Sequence, residues 1–97
     1  MYDLRFSKSA ERYFKKLREK ELKKAYRDAL NQIAADPYAG ELKTGDLTGI
    51  YCLDVYYDRT NDEIAYRIYE TEGQIVVVIL AGTRENFYND LKRYMNP

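Results

Sequence analysis

The sequence predicts an α+β fold: a small antiparallel sheet with an N-terminal helical hairpin packed on one face, and a C-terminal helix. Three patterns carry this reading. Residues 10–33 repeat apolar side chains at helical spacing, residues 50–69 alternate apolar with polar ones, and Ile75–Ala81 is an unbroken apolar run rich in β-branched residues. A period of 3.6 marks an amphipathic helix and a period of two a half-buried strand. A short continuous β-branched run marks a strand buried on both faces.

Taken in order, Tyr2-Asp3-Leu4-Arg5-Phe6 alternates and reads as a strand. Ser7 or Ser9 then caps a helix whose apolar positions are Ala10, Tyr13, Phe14 and Leu17. A break near Arg18–Glu21 precedes a second helix striped by Leu22, Ala25, Tyr26, Ala29, Leu30 and Ile33. Asp36-Pro37 ends it, because the residue before proline is pushed out of the helical region. Tyr38–Thr48, with Gly40 and Gly45, reads as a loop.

From Ile50 the period is two. Tyr51, Leu53, Val55 and Tyr57 share one face of a strand, with Cys52, Asp54 and Tyr56 on the other. Residues 58–62 read as a polar turn, and Glu63–Glu70 as a strand with Ile64, Tyr66 and Ile68 opposite Glu63, Ala65, Arg67 and Tyr69. Glu72-Gly73 turns into the buried strand 75–81, completing an antiparallel meander. Past a turn at Gly82, a last helix carries Phe87, Tyr88, Leu91, Tyr94 and Met95. The order is β-α-α-β-β-β-α.

Ninety-seven residues suit one domain, spanning 1–97, with a modest core. The single cysteine, Cys52, has no partner for an internal disulfide, which fits a reducing compartment. No apolar leader opens the chain, and the run 75–81 is too short to span a bilayer, so the expectation is a cytoplasmic protein without a membrane partner.

Net charge is zero but unevenly spread. Residues 1–46 hold 11 basic and 8 acidic side chains, residues 47–97 hold 5 and 8, and within Lys8–Arg27 the balance is 9 to 3. That basic stretch is either a solvated helix exterior or an RNA-facing surface. Its Lys15, Lys16, Lys23 and Lys24, with Lys43 from the loop, are the candidate RNA-contacting cations. Tyr56 and Tyr69, on the presumed open sheet face, are candidates for stacking on unpaired bases.

The chain contains no histidine, which excludes a Ser-His-Asp triad, a Cys-His pair and a histidine metal site. Its glycines are isolated turn residues rather than a phosphate-binding loop. No metal or cofactor is expected. Arg84 and Tyr88, four residues apart, would lie on one helical face past the end of the most buried strand. Asp54, Glu63 and Arg67 line the sheet face opposite the apolar set.

Two acids, two arginines and a phenol on one surface suit cleavage of RNA through its ribose 2′-hydroxyl. Asp54 or Glu63 would be the base, Arg67 and Arg84 the phosphate clamp, and Tyr88 a stacking or proton-donating group. The competing reading makes these charges cross-strand ion pairs on a solvated face and Tyr88 part of a core stripe.

Several stretches together resemble a known family. They are Phe6-Ser7-Lys8-Ser9-Ala10 before the helical hairpin, Asp36-Pro37-Tyr38, Leu42-Lys43-x-Gly45-Asp46-Leu47-x-Gly49-Ile50-Tyr51, Tyr66-Arg67-Ile68, and the ending Val76-Val77-Val78-Ile79-Leu80-Ala81-Gly82-Thr83-Arg84-Glu85-Asn86-Phe87-Tyr88. In this order and spacing they resemble the RelE/ParE superfamily of bacterial type II toxins over essentially the whole chain. The resemblance implies the RelE-like fold and a toxin silenced by a cognate antitoxin in a hetero-oligomer.

For RelE-type members it implies metal-independent cleavage of mRNA on the ribosome and inhibition of protein synthesis. For ParE-type members it implies inhibition of DNA gyrase without nuclease action. A homologue that keeps only antitoxin binding is the third alternative. The family arginine matches Arg84 and the helical aromatic matches Tyr88, with Phe87 the fallback. Positions basic in RelE fall here at Cys52, Asp54 and Glu63; Arg67 would replace the lost cation, and some members use an acidic base.

Overall fold

A computed structural model describes residues 1–96. Its sheet is built from β1 (Asp3–Phe6), β2 (Glu41–Leu42), β3 (Tyr51–Tyr57), β4 (Thr60–Tyr69) and β5 (Ile75–Thr83), in the spatial order β1-β5-β4-β3-β2. The helices are α1 (Lys8–Lys16), α2 (Lys20–Ala35) and α3 (Phe87–Met95). The predicted meander β3-β4-β5 is antiparallel, while β1 lies parallel to β5 with Leu4 beside Val76 and Phe6 beside Val78. That edge pairing is long-range and left no local trace in the sequence.

Ser7 explains how the hairpin is aimed. Its hydroxyl oxygen accepts from the Ala10 N–H at 3.0 Å, capping α1, and its O–H donates to the Ile79 carbonyl at 2.5 Å. One side chain thus starts the helix and pins it to β5. At the other end Asp36 leaves the helical region and accepts from the Tyr38 N–H at 3.2 Å, as the Asp-Pro pair requires.

Two boundaries differ from expectation. The turn between β3 and β4 is only Asp58-Arg59, both with positive φ (44° and 65°), so Asn61 and Asp62 belong to β4. Such a two-residue turn matches the twist of the flanking strands, which lets the ladder run to the tip. The second difference is Gly82, which pairs with Glu63 inside β5 instead of making a turn. The reversal falls at a 3-10 turn, Arg84–Asn86, before α3.

The sheet is covered on both sides. On one face α1 and α2 bury Ala10, Tyr26, Ala29 and Ile33 against Val55, Ile64, Tyr66, Val76, Val78 and Ala81. On the other, Phe87 and Leu91 of α3 close over Cys52, Ala65 and Ile79, joined by Leu47 and Ile50. The face expected to be open is therefore half closed.

A bulge reconciles β5 with both cores. Ala65 sits opposite Leu80 and Tyr66 opposite Val78, leaving Ile79 as the extra residue. Its side chain goes to the α3 side while Val78 and Ala81 stay on the hairpin side.

Candidate active site at the α3 end of the sheet

The register fixes the site. In β3–β4, Asp54 lies directly opposite Glu63, and both point to the α3 face because Leu53, Val55 and Ile64 fill the other core. Glu63 is only 2 % exposed, whereas Asp54 is exposed. On α3, Tyr88 follows Phe87, whose ring is held in the core, and its phenol reaches back across the sheet. It donates to Glu63 Oε1 at 2.7 Å.

The second oxygen, Glu63 Oε2, is buried and has no hydrogen-bond partner. Glu63 lines a small cavity of about 80 Å³ together with Asp54, Cys52, Arg84, Tyr88, Lys43 and Glu41. A buried carboxylate oxygen without a donor costs roughly 1–3 kcal/mol, which makes Glu63 an expensive residue at this position.

Electrostatics follow from that burial. Burial pushes the Glu63 carboxyl above the ordinary glutamate range; the Tyr88 hydrogen bond opposes the shift, and the facing Asp54 charge adds to it. The Tyr88 phenol is raised by burial and by Glu63, with Lys43 pulling the other way. Lys43 is penalised by burial, but its ion pair with Glu41 and its contact with Tyr88 outweigh this and keep it charged. Its ammonium stands 4.8 Å from the Tyr88 ring centroid, a cation–π distance. Burial pushes the Cys52 thiol up to about 12, so it remains a neutral wall of the cavity.

Arg84 is exposed at the rim, and its positive charge favours the ionised forms of both Glu63 and Glu41. It precedes α3, so it does not share a helical face with Tyr88 as predicted; the strand end and the 3-10 turn bring it to the cavity instead.

Four of the residues singled out as catalytic, Arg84, Tyr88, Asp54 and Glu63, thus converge, and Lys43 joins them. Arg67 does not. It lies four residues along β4 from Glu63, about 13 Å away at strand rise, with its guanidinium against the turn at Gly49. Lys15, Lys16, Lys23 and Lys24 are exposed on the hairpin, which covers the opposite sheet face; Lys15 pairs with Glu11 at 3.9 Å.

Tyr56 is exposed two residues beyond Asp54, outside the cavity lining, and Tyr69 is at the far end of β4, paired with Ile75. Glu41 was not anticipated. The two-residue strand β2 that carries it has no periodicity to detect, although it pairs with β3 through Glu41–Cys52.

A mixed sheet clasped between a helical hairpin and a C-terminal helix, with an arginine, a phenol and an acid pair at one end, defines a class. The sequence profile of the ParE-like toxin of type II bacterial toxin–antitoxin systems matches residues 4–92, and the chain belongs to that family. Solved structures agree in fold.

The chain is similar to a protein of the RelBE2 toxin–antitoxin complex from Mycobacterium tuberculosis, at 25 % identity and a TM-score of 0.66, covering 86 % of this chain and 98 % of that one. It is also similar to an arginine double mutant of the E. coli toxin RelE in the free state, at 20 % identity and a TM-score of 0.70, covering 95 % and 96 %. The intact E. coli RelBE complex gives 22 % identity and a TM-score of 0.66, over 88 % and 99 %. No curated protein sequence matches the chain significantly. Among the described residues no helix is long and apolar enough to cross a membrane.

Proposed function

We propose that this type II toxin is a RelE-type endoribonuclease that cleaves translated mRNA and is held silent by a cognate antitoxin. One observation carries the reading: a buried acid, Glu63, with one oxygen that has no hydrogen-bond partner, lines a cavity whose cations are Arg84 and Lys43. In this reading Glu63 Oε2 takes the proton of the ribose 2′-hydroxyl. The oxygen so activated attacks phosphorus, and Arg84 and Lys43 hold the charge on the phosphorane. The bond to the 5′-oxygen breaks, leaving a 2′,3′-cyclic phosphate and a 5′-hydroxyl that takes its proton from solvent.

Tyr88 is a positioning residue, fixing Glu63 through Oε1. A glutamate raised above its ordinary range suits a base that works near neutrality. The antitoxin partner is supported by the family itself and by the RelBE complexes that share the fold.

A second reading has its own observation. The cavity offers three carboxylates against two cations on a neutral chain, which disfavours a phosphate and favours a protein target, as in gyrase-inhibiting ParE-type toxins. Inducing the chain alone in bacteria separates the two. Translation arrest with new transcript ends bearing cyclic phosphate, reduced 10²-fold or more in Arg84→Ala and Glu63→Gln, is the expected result. Intact transcripts with DNA damage would transfer the assignment to the gyrase reading, and absence of toxicity would leave an inactive homologue that keeps antitoxin binding.

A further inference from the structure

Lys43 reaches the site on a lightly anchored piece of chain. Strand β2 pairs with β3 through Glu41–Cys52 and Leu42–Tyr51, and the Lys43 N–H donates to the Ile50 carbonyl at 2.8 Å. So short a ladder fixes a segment weakly. Yet the Lys43 ammonium is seated on the Tyr88 ring, whose hydroxyl donates to Glu63.

The other end of the segment is held far more firmly. The Tyr66 phenol, buried in β4, donates to the Pro37 carbonyl at 2.6 Å. Gly40 lies against the same hydroxyl: a Cβ there would collide with it and stand 3.0 Å from the Cys52 carbonyl oxygen. The Tyr51 ring stacks on Tyr66 and meets Tyr38 edge-on, each pair with centroids 5.8 Å apart. Tyr38 donates to Glu70 Oε2 at 2.9 Å, and Tyr2, near the N-terminus, donates to Glu70 Oε1. Tyr66 lies in β4 and Glu70 directly follows it. The strand that carries Glu63 therefore also carries the anchors of the segment that delivers Lys43.

We propose that this tyrosine–Glu70 clasp is a positioning device for the site: Tyr66 and Gly40 set how closely residues 37–43 approach the sheet, and so seat Lys43 on the Tyr88 ring. Tyr88 is thereby gripped twice, by Glu63 at its hydroxyl and by Lys43 at its face. The proposal rests on the nuclease reading for its effect on cleavage, but not for its geometry. A merely stabilising cluster would behave differently. Weakening it would lower the unfolding midpoint and leave the Lys43–Tyr88 contact of the folded protein unchanged.

The experiment reads the Tyr88 ring directly, by two-dimensional NMR of the purified chain carrying ¹³C-tyrosine at neutral pH. Lys43→Met defines how far the Tyr88 ring signals move when the cation is gone. Gly40→Ala and Tyr66→Phe should move the same signals in the same direction. Ala29→Gly, which weakens α2 within the hairpin core and leaves residues 37–43 intact, should not move them. In parallel, Gly40→Ala should lower kcat for RNA cleavage about 10-fold with KM unchanged, as expected when a site group is displaced by a fraction of an ångström.

Tyr88 signals that stay in place in folded Gly40→Ala or Tyr66→Phe would overturn the clasp, as would signals that ignore Lys43→Met or move equally in Ala29→Gly. Should neither clasp variant fold, Glu70→Ala, at an exposed position, gives the same reading through Tyr38. A natural chain that cuts no RNA would end the nuclease reading alone, because the ring signals do not depend on cleavage.

Discussion

At the scale of single residues, two acids next to each other on β4 meet opposite fates. Asp62 turns to the hairpin face, 2 % exposed, where it accepts from Tyr26 at 2.6 Å and Tyr13 at 3.2 Å. Glu63 turns to the α3 face with one donor and one orphan oxygen. The first is a satisfied buried carboxylate and the second is not, which is why only the second reads as functional.

The pH consequence follows from the raised Glu63 carboxyl. A folded-state pKa above the unfolded value adds stability that is complete below the ordinary glutamate range and is lost as pH rises through the folded value. Glu63→Gln removes that titration. It should therefore be more stable than the natural chain at pH 8, by about 1 kcal/mol, with the gap closing towards pH 4. Urea denaturation at both pH values measures this; equal stability at pH 8 would contradict it.

At the scale of elements, the β3–β4 hairpin carries the acid pair, and its register depends on a two-residue turn. Asp58 and Arg59 both occupy left-handed backbone, which arginine adopts at a cost that glycine does not have. Arg59→Gly should stabilise the fold by about 0.5–1 kcal/mol, seen as a higher urea midpoint with unchanged m-value. A loss of stability would mean that the Arg59 side chain makes a contact worth more than the strain.

Helices and strands were legible because their periods are local: Tyr51, Leu53 and Val55 alternate, and Tyr26, Ala29 and Ile33 repeat at helical spacing. The extent of β4 was not, since Asn61 and Asp62 look like turn residues until Tyr26 and Tyr13 are placed over them. Strand β2 was equally hidden, two residues being too few to show any period.

At the scale of the whole molecule, one sheet separates two cores, and the candidate site depends on the smaller one. Leu91, fully buried, anchors α3 and with it Tyr88. Leu91→Ala should cost about 2–5 kcal/mol and Ile33→Val, in the other core, about 0.5–1.5 kcal/mol. Because the two side chains lie on opposite faces, the double variant should show their sum within about 0.5 kcal/mol. Denaturant unfolding of the four proteins reads this directly, and a larger deviation would show that the sheet transmits strain between its faces.

The sequence by itself determined the order of elements, the α+β class and the residues worth weighing at the site: Arg84, Tyr88, Asp54 and Glu63 follow from composition, period and family pattern. Tertiary structure decided which of them meet. It brought Lys43 and Glu41 in, left Arg67 at the Gly49 turn, and gave one oxygen of Glu63 a partner while isolating the other. The physical reason is that periodicity records which face a side chain takes, whereas burial and hydrogen bonding depend on what crosses that face. Here it is α3, whose position is set by long-range packing of Phe87 and Leu91.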